Sequence, residues 1–207
     1  DPAVQVANYN MGNVQLTKQD WTAAEPFFVR ALENIPPRPY QAGPASSAIY
    51  NLIYTLECLD RHEDATAVRF RYMIDSRVPP ETRALLRFSQ IESYCWSGNA
   101  KAASWLLDTA DSFTAHFRIH SLLRAFCLLA QDKIDEAEKL LPKDPFHNRH
   151  YSMLRIFLLA NIMEARGRPE EALAALKEAE KIEPRDVIAS IIRRRAYRMM
   201  PRNADQA

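Results

Sequence analysis

A short block that closes one apolar helical pattern and opens the next recurs five times along the chain. Each block contains one alanine at the same place, and these are Ala24, Ala65, Ala103, Ala137 and Ala172. The alanines are separated by 41, 38, 34 and 35 residues. A period of this length is typical of a solenoid of antiparallel helix pairs, in which each pair buries its apolar side against the next. The period therefore predicts an all-α fold with one domain over residues 1–207.

The composition agrees with a helical chain and excludes several classes of function. Among 207 residues there are four glycines, against roughly fourteen expected from average usage. Lys and Arg total 27 and Asp and Glu total 26, so no net charge draws the chain to nucleic acid or to an anionic membrane. The longest apolar runs, such as 156–163, are too short to cross a bilayer. We expect no nucleic-acid partner and no transmembrane helix.

The first helix pair shows how the pattern works. A helix is predicted from Val4 to Leu16, and Asp20 is placed to cap a second helix that runs to about Asn34. Gly12 is small where the two helices cross, and Phe28 is placed to fill the space beside it. We therefore expect close packing between these two helices.

This first pair resembles the tetratricopeptide repeat, whose pattern is W-x2-L-G-x2-Y, then A-x3-F, then P. The residues that carry the resemblance are Met11-Gly12, Ala24, Phe28 and Pro36 in repeat one, and Leu159-Ala160, Gly167, Ala172, Leu176, Ala179 and Pro184 in repeat five. Repeat one departs from the pattern at Asn8 and Gln15, which stand where the family has Trp and Tyr.

The resemblance implies a right-handed α-α superhelix, that is, a tetratricopeptide-like solenoid. Its repeats would cover approximately residues 4–37, 47–80, 81–112, 117–143 and 151–184. A capping helix over 187–200 would close the array with one polar side. The Gly, Pro and Ser residues at 41–46 predict a loop that absorbs the longer first spacing.

In this family the first helices of the pairs line a concave groove that holds a partner segment. By register, the groove residues would be Tyr9, Asn13, Tyr50, Tyr54, Glu57, Phe88, Glu92, Trp96, Phe126, Phe157, Asn161 and Glu164. The spacing supports a shared face, because Tyr50 and Tyr54 are four residues apart on one helix. Packing between repeats also requires an aromatic stripe at this spacing, so the alternative is that many of these aromatics belong to the core.

Some members of the family hold a C-terminal carboxylate with cationic residues and asparagines on their first helices. Asn13 and Asn51 fall at the asparagine positions of that clamp, but Tyr9, Leu85 and Ser89 fall at the cationic ones. Without those charges a carboxylate is not held strongly. We therefore expect Asn10 and Asn51 to make local structural hydrogen bonds instead.

Four of the five histidines lie at two loop-to-helix junctions and are the candidate metal ligands. They are His116, His120, His147 and His150. No acidic residue between His116 and His120 completes an HExxH motif. We expect capping or solvated histidines, with no metal and no other cofactor.

The three cysteines are Cys58, Cys95 and Cys127, and each falls in a predicted helix without CxxC spacing. We expect them to be small buried apolar side chains without disulfides. The arginines from Arg193 to Arg202 fit the solvated face of the capping helix, with phosphate or anionic lipid as the alternative ligand.

The leading hypothesis is a non-catalytic scaffold that binds another protein in the groove. No Ser-His-Asp or Cys-His arrangement and no Gly-rich phosphate loop supports an enzyme. The alternative is an accessory subunit of a bacterial envelope, secretion or polysaccharide-export complex that docks a folded domain. We expect the cytoplasmic face as the location, with a periplasmic or membrane-tethered location through an upstream anchor as the alternative.

Overall fold

The computed structural model describes residues 2–33, 35, 43–109 and 118–182, and it contains ten α-helices and no strand over these ranges. The all-α class is confirmed. The helices are α1 (Pro2–Thr17), α2 (Trp21–Leu32), α3 (Gly43–Cys58), α4 (His62–Met73), α5 (Pro80–Trp96), α6 (Ala100–Asp108), α7 (Arg118–Leu129), α8 (Ile134–Leu140), α9 (Arg149–Ala165) and α10 (Pro169–Glu180). Each predicted repeat contains two consecutive helices.

The chain divides into two compact units, 1–90 and 91–207, and the division falls within α5. In the first unit, α1 packs against α2 and α3, and α3 packs against α2 and α4. In the second unit, α7 packs against α6, α8 and α9, and α9 packs against α8 and α10. Helices that pack together within a unit are thus near neighbours in sequence. The single continuous solenoid stays a prediction.

The recurring sequence block adopts a recurring turn. Five residues before each block alanine, the backbone has a positive φ between 59° and 76°. These residues are Gln19, Asp60, Gly98, Asp132 and Gly167. The residue that follows each of them donates its N–H to the carbonyl five positions earlier at 2.8–3.0 Å, which ends the first helix. The five turns therefore share one backbone geometry.

The block alanines themselves are completely buried, with 0% of each side chain exposed. Each also donates its N–H to the carbonyl four positions earlier, in the first turn of the second helix. Asp20 caps α2 as predicted, since its Oδ1 accepts the N–H of Ala23 at 3.0 Å. Asn99 caps α6 in the same way through Ala102.

Gly12 and Phe28 determine how closely α1 approaches α2. A Cβ at Gly12 would lie 2.5 Å from Phe28 Cε1, well inside van der Waals contact. Phe28 is fully buried, together with Ile49 and Leu86 in the core of the first unit. The predicted close crossing is therefore confirmed.

Three details differ from the sequence-based expectations or lie outside the described residues. The loop predicted over 41–46 is wrong from Gly43 onward, because α3 begins there. Pro44 is tolerated in this first turn, where its missing N–H would have had no helical partner. The capping helix at 187–200 and the arginines from Arg193 to Arg202 lie outside the described residues.

The expected burial of all three cysteines is also wrong in part. Cys95 and Cys127 are buried, but Cys58, the last residue of α3, is exposed. None of the three forms a disulfide in this structure.

Candidate partner-binding site

In the first unit, a hydrogen bond joins the first helices of repeats one and two. Asn51 on α3 donates its Nδ2 to Oδ1 of Asn13 on α1 at 2.7 Å. Both side chains are only partly buried. The hydrogen bond of Asn51 is structural but not local as expected, because its partner lies 38 residues away on another helix. It places polar amide groups at the surface between the two helices.

Tyr54 lies one turn after Asn51 on α3, and 43% of the residue is exposed. Its ring meets Trp21, the first residue of α2, edge to face with centroids 5.6 Å apart and planes at 89°. Partial burial, followed by a contact with Cys58, raises the pKa of the Tyr54 phenol. We call the surface made by Asn13, Trp21, Asn51 and Tyr54 the α1/α3 surface.

Other predicted groove residues in the first unit are anchored to the fold. Tyr9 is half-buried, with its ring centroid 6.4 Å from that of Phe28. Tyr50 donates its hydroxyl to the backbone oxygen of Thr82 at 3.3 Å, and burial raises the pKa of its phenol. Phe88 is 1% exposed and lies in the core.

Glu57 has a structural ionic partner in Arg69 on α4. Arg69 is 3% exposed, and its Nη2 pairs with the Glu57 carboxylate while its Nε donates to Ser89 Oγ at 3.1 Å. A buried guanidinium needs such partners because its charge has lost most of its contact with water. Glu57 therefore helps to satisfy a buried charge.

In the second unit, three of the predicted aromatic residues pack against each other. Trp96 lies 4.8 Å from Phe126 and 5.1 Å from Phe157, measured between ring centroids. Its indole N–H donates to Glu92 Oε1 at 3.1 Å, and Glu92 Oε2 lies 3.0 Å from His150 Nε2. Phe126, Phe157 and Glu92 are buried and Trp96 is partly buried. These residues form an internal cluster more than an open surface.

The two remaining predicted groove residues lie on α9. Asn161 is partly buried and donates its Nδ2 to the Phe157 carbonyl at 2.6 Å, one turn earlier in the same helix. Glu164 is exposed near the end of α9. The amide nitrogen of Asn161 is therefore already hydrogen-bonded within its own helix.

Sequence reasoning included Asn13 and Tyr54 in the site but missed Trp21. Trp21 belongs to the recurring block, which was interpreted only as a turn. A signal was available, because a large aromatic at the first position of a second helix occurs in this block alone among the five. The contact between Glu92 and His150 was also missed, since 58 residues separate them.

The histidines do not form a metal site in the described part of the chain. His120 Nε2 lies 3.3 Å from the Leu107 carbonyl, His150 faces Glu92, and His147 is exposed, while His116 lies outside the described residues. No group of three or more His, Cys, Asp or Glu residues within residues 2–33, 35, 43–109 and 118–182 is arranged to hold a metal ion.

A surface depression of about 320 Å³ lies at the turn between α7 and α8. Arg166 reaches it and pairs with Asp135 and with Glu138, the latter at 3.0 Å. These charges are mutually paired at an exposed turn, so the depression offers no buried polar group to a small ligand.

A second exposed surface lies on α1, which has no charged side chain between Pro2 and Thr17. Val4, Met11 and Val14 are 55%, 45% and 46% exposed, and they fall on one face of the helix. We call this face the α1 stripe. The positions 41 residues later on α3 are Ala45, Leu52 and Thr55, which are buried.

No family model matches the chain, and no curated protein or solved structure matches it either. The class of this protein therefore rests on its own structure. Over the described residues it is an all-α protein of paired helices, and the five turns between the helices of the pairs share one geometry. No helix within the described ranges is both long and apolar enough to cross a membrane.

Proposed function

We propose that this chain is a non-catalytic protein–protein interaction scaffold, whose helix pairs stack as a right-handed, tetratricopeptide-like solenoid. Two observations support the stacking. Five turns share one backbone geometry with a fully buried alanine, and the helices of each unit pack against their near neighbours. Repeated pairs of this kind bury their apolar sides on each other and leave helix faces available for partners.

The exposed Tyr54 ring, standing against Trp21, is the observation that carries the proposal. A rigid aromatic side chain with few rotamers loses little conformational entropy on binding and often dominates the affinity of an interface. Asn13 and Asn51 lie within the same α1/α3 surface, where their amides can bond to the backbone of a bound segment. We therefore expect an extended partner segment with an apolar anchor.

Ten of the twelve predicted groove residues lie outside this surface, and four of these ten are buried. Phe88, Phe126, Phe157 and Glu92 are buried, and a buried side chain offers a partner no area without a rearrangement of the core. Their substitution is expected to act on stability first.

Peptides selected from a displayed random library against the full chain provide the probe for a test. Tyr54→Ala should weaken the binding of the selected peptides by about tenfold or more, because it removes the central anchor. Ile74→Ala is the matched control, since Ile74 is 79% exposed in the same unit but follows α4. Equal affinities of the wild type and Tyr54→Ala would contradict the proposal.

The alternative function, docking of a folded partner, is favoured by the α1 stripe. Since the equivalent residues of α3 are buried and α3 packs against α2, the occupant that fits the α1 stripe is an amphipathic helix with small and aliphatic residues on its apolar side. In this alternative the folded partner presents such a helix. Because α1 has no charged side chain, burial of apolar surface would contribute most of the free energy of binding.

A synthetic peptide with the sequence of residues 19–33, which contains α2, is a direct probe of the α1 stripe. Its binding should be lost in Met11→Glu, which places a charge in the middle of the stripe, and should be retained in Tyr54→Ala. Failure of the peptide to bind the wild-type chain, or equal binding to Met11→Glu, would remove this candidate.

A further inference from the structure

Two buried cysteines from different helices lie side by side in the second unit. Cys95 is in the last turn of α5 and Cys127 is near the end of α7, and their Sγ atoms are 3.3 Å apart. They are 5% and 2% exposed, and both are free thiols. The contact joins two helices that are 32 residues apart along the chain.

The separation of the sulfurs is short enough for covalent bonding after a small movement. A disulfide has an S–S length of about 2.05 Å, so each sulfur needs to move by well under about 1 Å. Small rotations about the side-chain bonds of two facing cysteines can move their sulfurs by this distance.

The surroundings make the two thiols chemically unequal. The pKa of the Cys127 thiol is lowered, first by its hydrogen bond with the Cys95 sulfur and then by Arg124 and Ser104, against the opposing effect of burial. The same contact, with burial, raises the pKa of Cys95. Arg124 is held by Asp108 on α6 at 2.6 Å. Cys127 is thus the nucleophile of the pair and Cys95 the resolving thiol.

We propose that Cys95 and Cys127 form a redox-sensitive dithiol, which a peroxide converts into an intramolecular disulfide that ties α5 to α7. In the first step the Cys127 thiolate attacks one peroxide oxygen, the O–O bond breaks and a sulfenic acid forms. In the second step the Cys95 sulfur attacks the Cys127 sulfur, the S–S bond forms and the S–O bond breaks. Two thiols and one hydrogen peroxide thereby give one disulfide and two waters.

This disulfide would also affect the packed rings of Trp96 and Phe126, because these residues directly neighbour Cys95 and Cys127 in the sequence. Their ring centroids are 4.8 Å apart. A disulfide between their neighbours fixes the two helices that carry these rings, and it places a quencher of fluorescence beside Trp96.

The exposed Cys58 allows a clean test, because Cys58→Ser leaves only the buried pair and requires no change in the core. We would treat this full-length variant with hydrogen peroxide, block free thiols under denaturing conditions, and measure the intact mass. The expected product is a monomer that has lost two hydrogen atoms, has no free thiol, and regains both thiols with dithiothreitol. Peptide mapping should show Cys95 linked to Cys127.

The melting temperature gives a second readout. Oxidation should raise it by about 5–10 °C in Cys58→Ser, because the bond closes a loop of roughly thirty residues. The further change Cys127→Ala in the Cys58→Ser background should abolish this rise. Two thiols that persist after peroxide treatment, or oxidation to sulfinic acid without a disulfide, would overturn the proposal.

Discussion

Tyr54 in the first unit and Phe126 in the second hold the same place in their repeats, eleven residues before the buried alanine of the turn. Their surroundings differ sharply. Tyr54 is 43% exposed, and its ring contacts that of Trp21 edge to face. Phe126 is 6% exposed and packs against Trp96, which in turn contacts Phe157. One sequence position therefore serves the surface in one unit and the core in the other.

The difference shows that the repeat sets the direction of a side chain, whereas the neighbouring side chains set its exposure. In the second unit, three large rings from three helices pack together, because Trp96 contacts both Phe126 and Phe157. In the first unit, the residue that corresponds to Trp96, seven residues before the block alanine, is Thr17 on α1, which is short and polar. The Tyr54 ring is therefore left open to a partner.

The largest expected effect is a difference in stability between alanine variants of the two equivalent aromatic residues, Phe126 and Tyr54. Phe126→Ala should lower the free energy of unfolding by about 3–5 kcal/mol, because it empties a buried aromatic site. Tyr54→Ala should lower it by no more than about 1 kcal/mol, because much of the ring already contacts water. Urea unfolding followed by circular dichroism measures both. Equal losses would break the comparison, since Tyr54 would then belong to the core.

A second prediction concerns the close crossing of α1 and α2. Gly12→Ala should destabilise the chain by about 1–3 kcal/mol, because the new methyl group would overlap the Phe28 ring. The double variant Gly12→Ala with Phe28→Leu should recover part of this loss, since a smaller side chain makes room. Denaturant unfolding of the two variants tests the point, and a double variant that is less stable than either single one would argue against a steric cause.

Acid sensitivity in the first unit gives a smaller effect. Side-chain hydrogen bonds from Arg77 lower the pKa of Asp75 below its ordinary value of 3.8, so the folded state favours the carboxylate. The resulting contribution to the free energy of unfolding is fully present well above pH 3.8, the ordinary pKa. It is lost as the pH falls through the lowered pKa of the folded state. Asp75→Asn should cost about 1 kcal/mol at neutral pH.

The measurement for Asp75 is the difference in unfolding free energy between the wild type and Asp75→Asn as a function of pH. This difference should shrink toward zero as the pH falls through the lowered pKa of Asp75, because the protonated wild type then carries no charge at position 75, like the variant. A difference that stays constant with pH would show that the Asn substitution acts through packing.

The smallest effect tests whether the turns of the two units are equivalent. Gln19 and Asp132 have φ of 59° and 63°, where an L side chain is strained. Gln19→Gly and Asp132→Gly should each stabilise the chain by about 0.5 kcal/mol, the relief of strain being partly offset by the entropy of glycine in the unfolded chain. Gly98→Ala, at φ of 76°, should do the opposite. Thermal unfolding would resolve the order of the variants.

The helix pairs and their crossings could be predicted from sequence because they depend on local chemistry. The recurring alanines, the Asp20 cap and the smallness of Gly12 each follow from what a turn or a close contact requires. The positive φ of Gln19, Asp60 and Asp132 could not be predicted from residue type, because only the shared register with Gly98 and Gly167 identifies it.

The candidate site was less predictable than the fold. The side of a helix on which Tyr54 or Phe126 lies follows from helical spacing, but its exposure depends on residues many positions away, such as Trp21 or Trp96. The pairing of Cys95 with Cys127 and the partnership of Glu92 with His150 are likewise long-range contacts. A single sequence has no local signal for contacts of this kind.

Hydrogen–deuterium exchange of the full chain, with and without a peptide selected from the displayed library, tests the central claim most directly. The account predicts that bound peptide slows exchange within α1 and α3, and that the Tyr54→Ala variant loses this protection while exchange in α7 and α9 stays unchanged. Protection confined to α7 and α9, with Tyr54→Ala behaving as the wild type, would contradict the assignment of the partner-binding site to the α1/α3 surface.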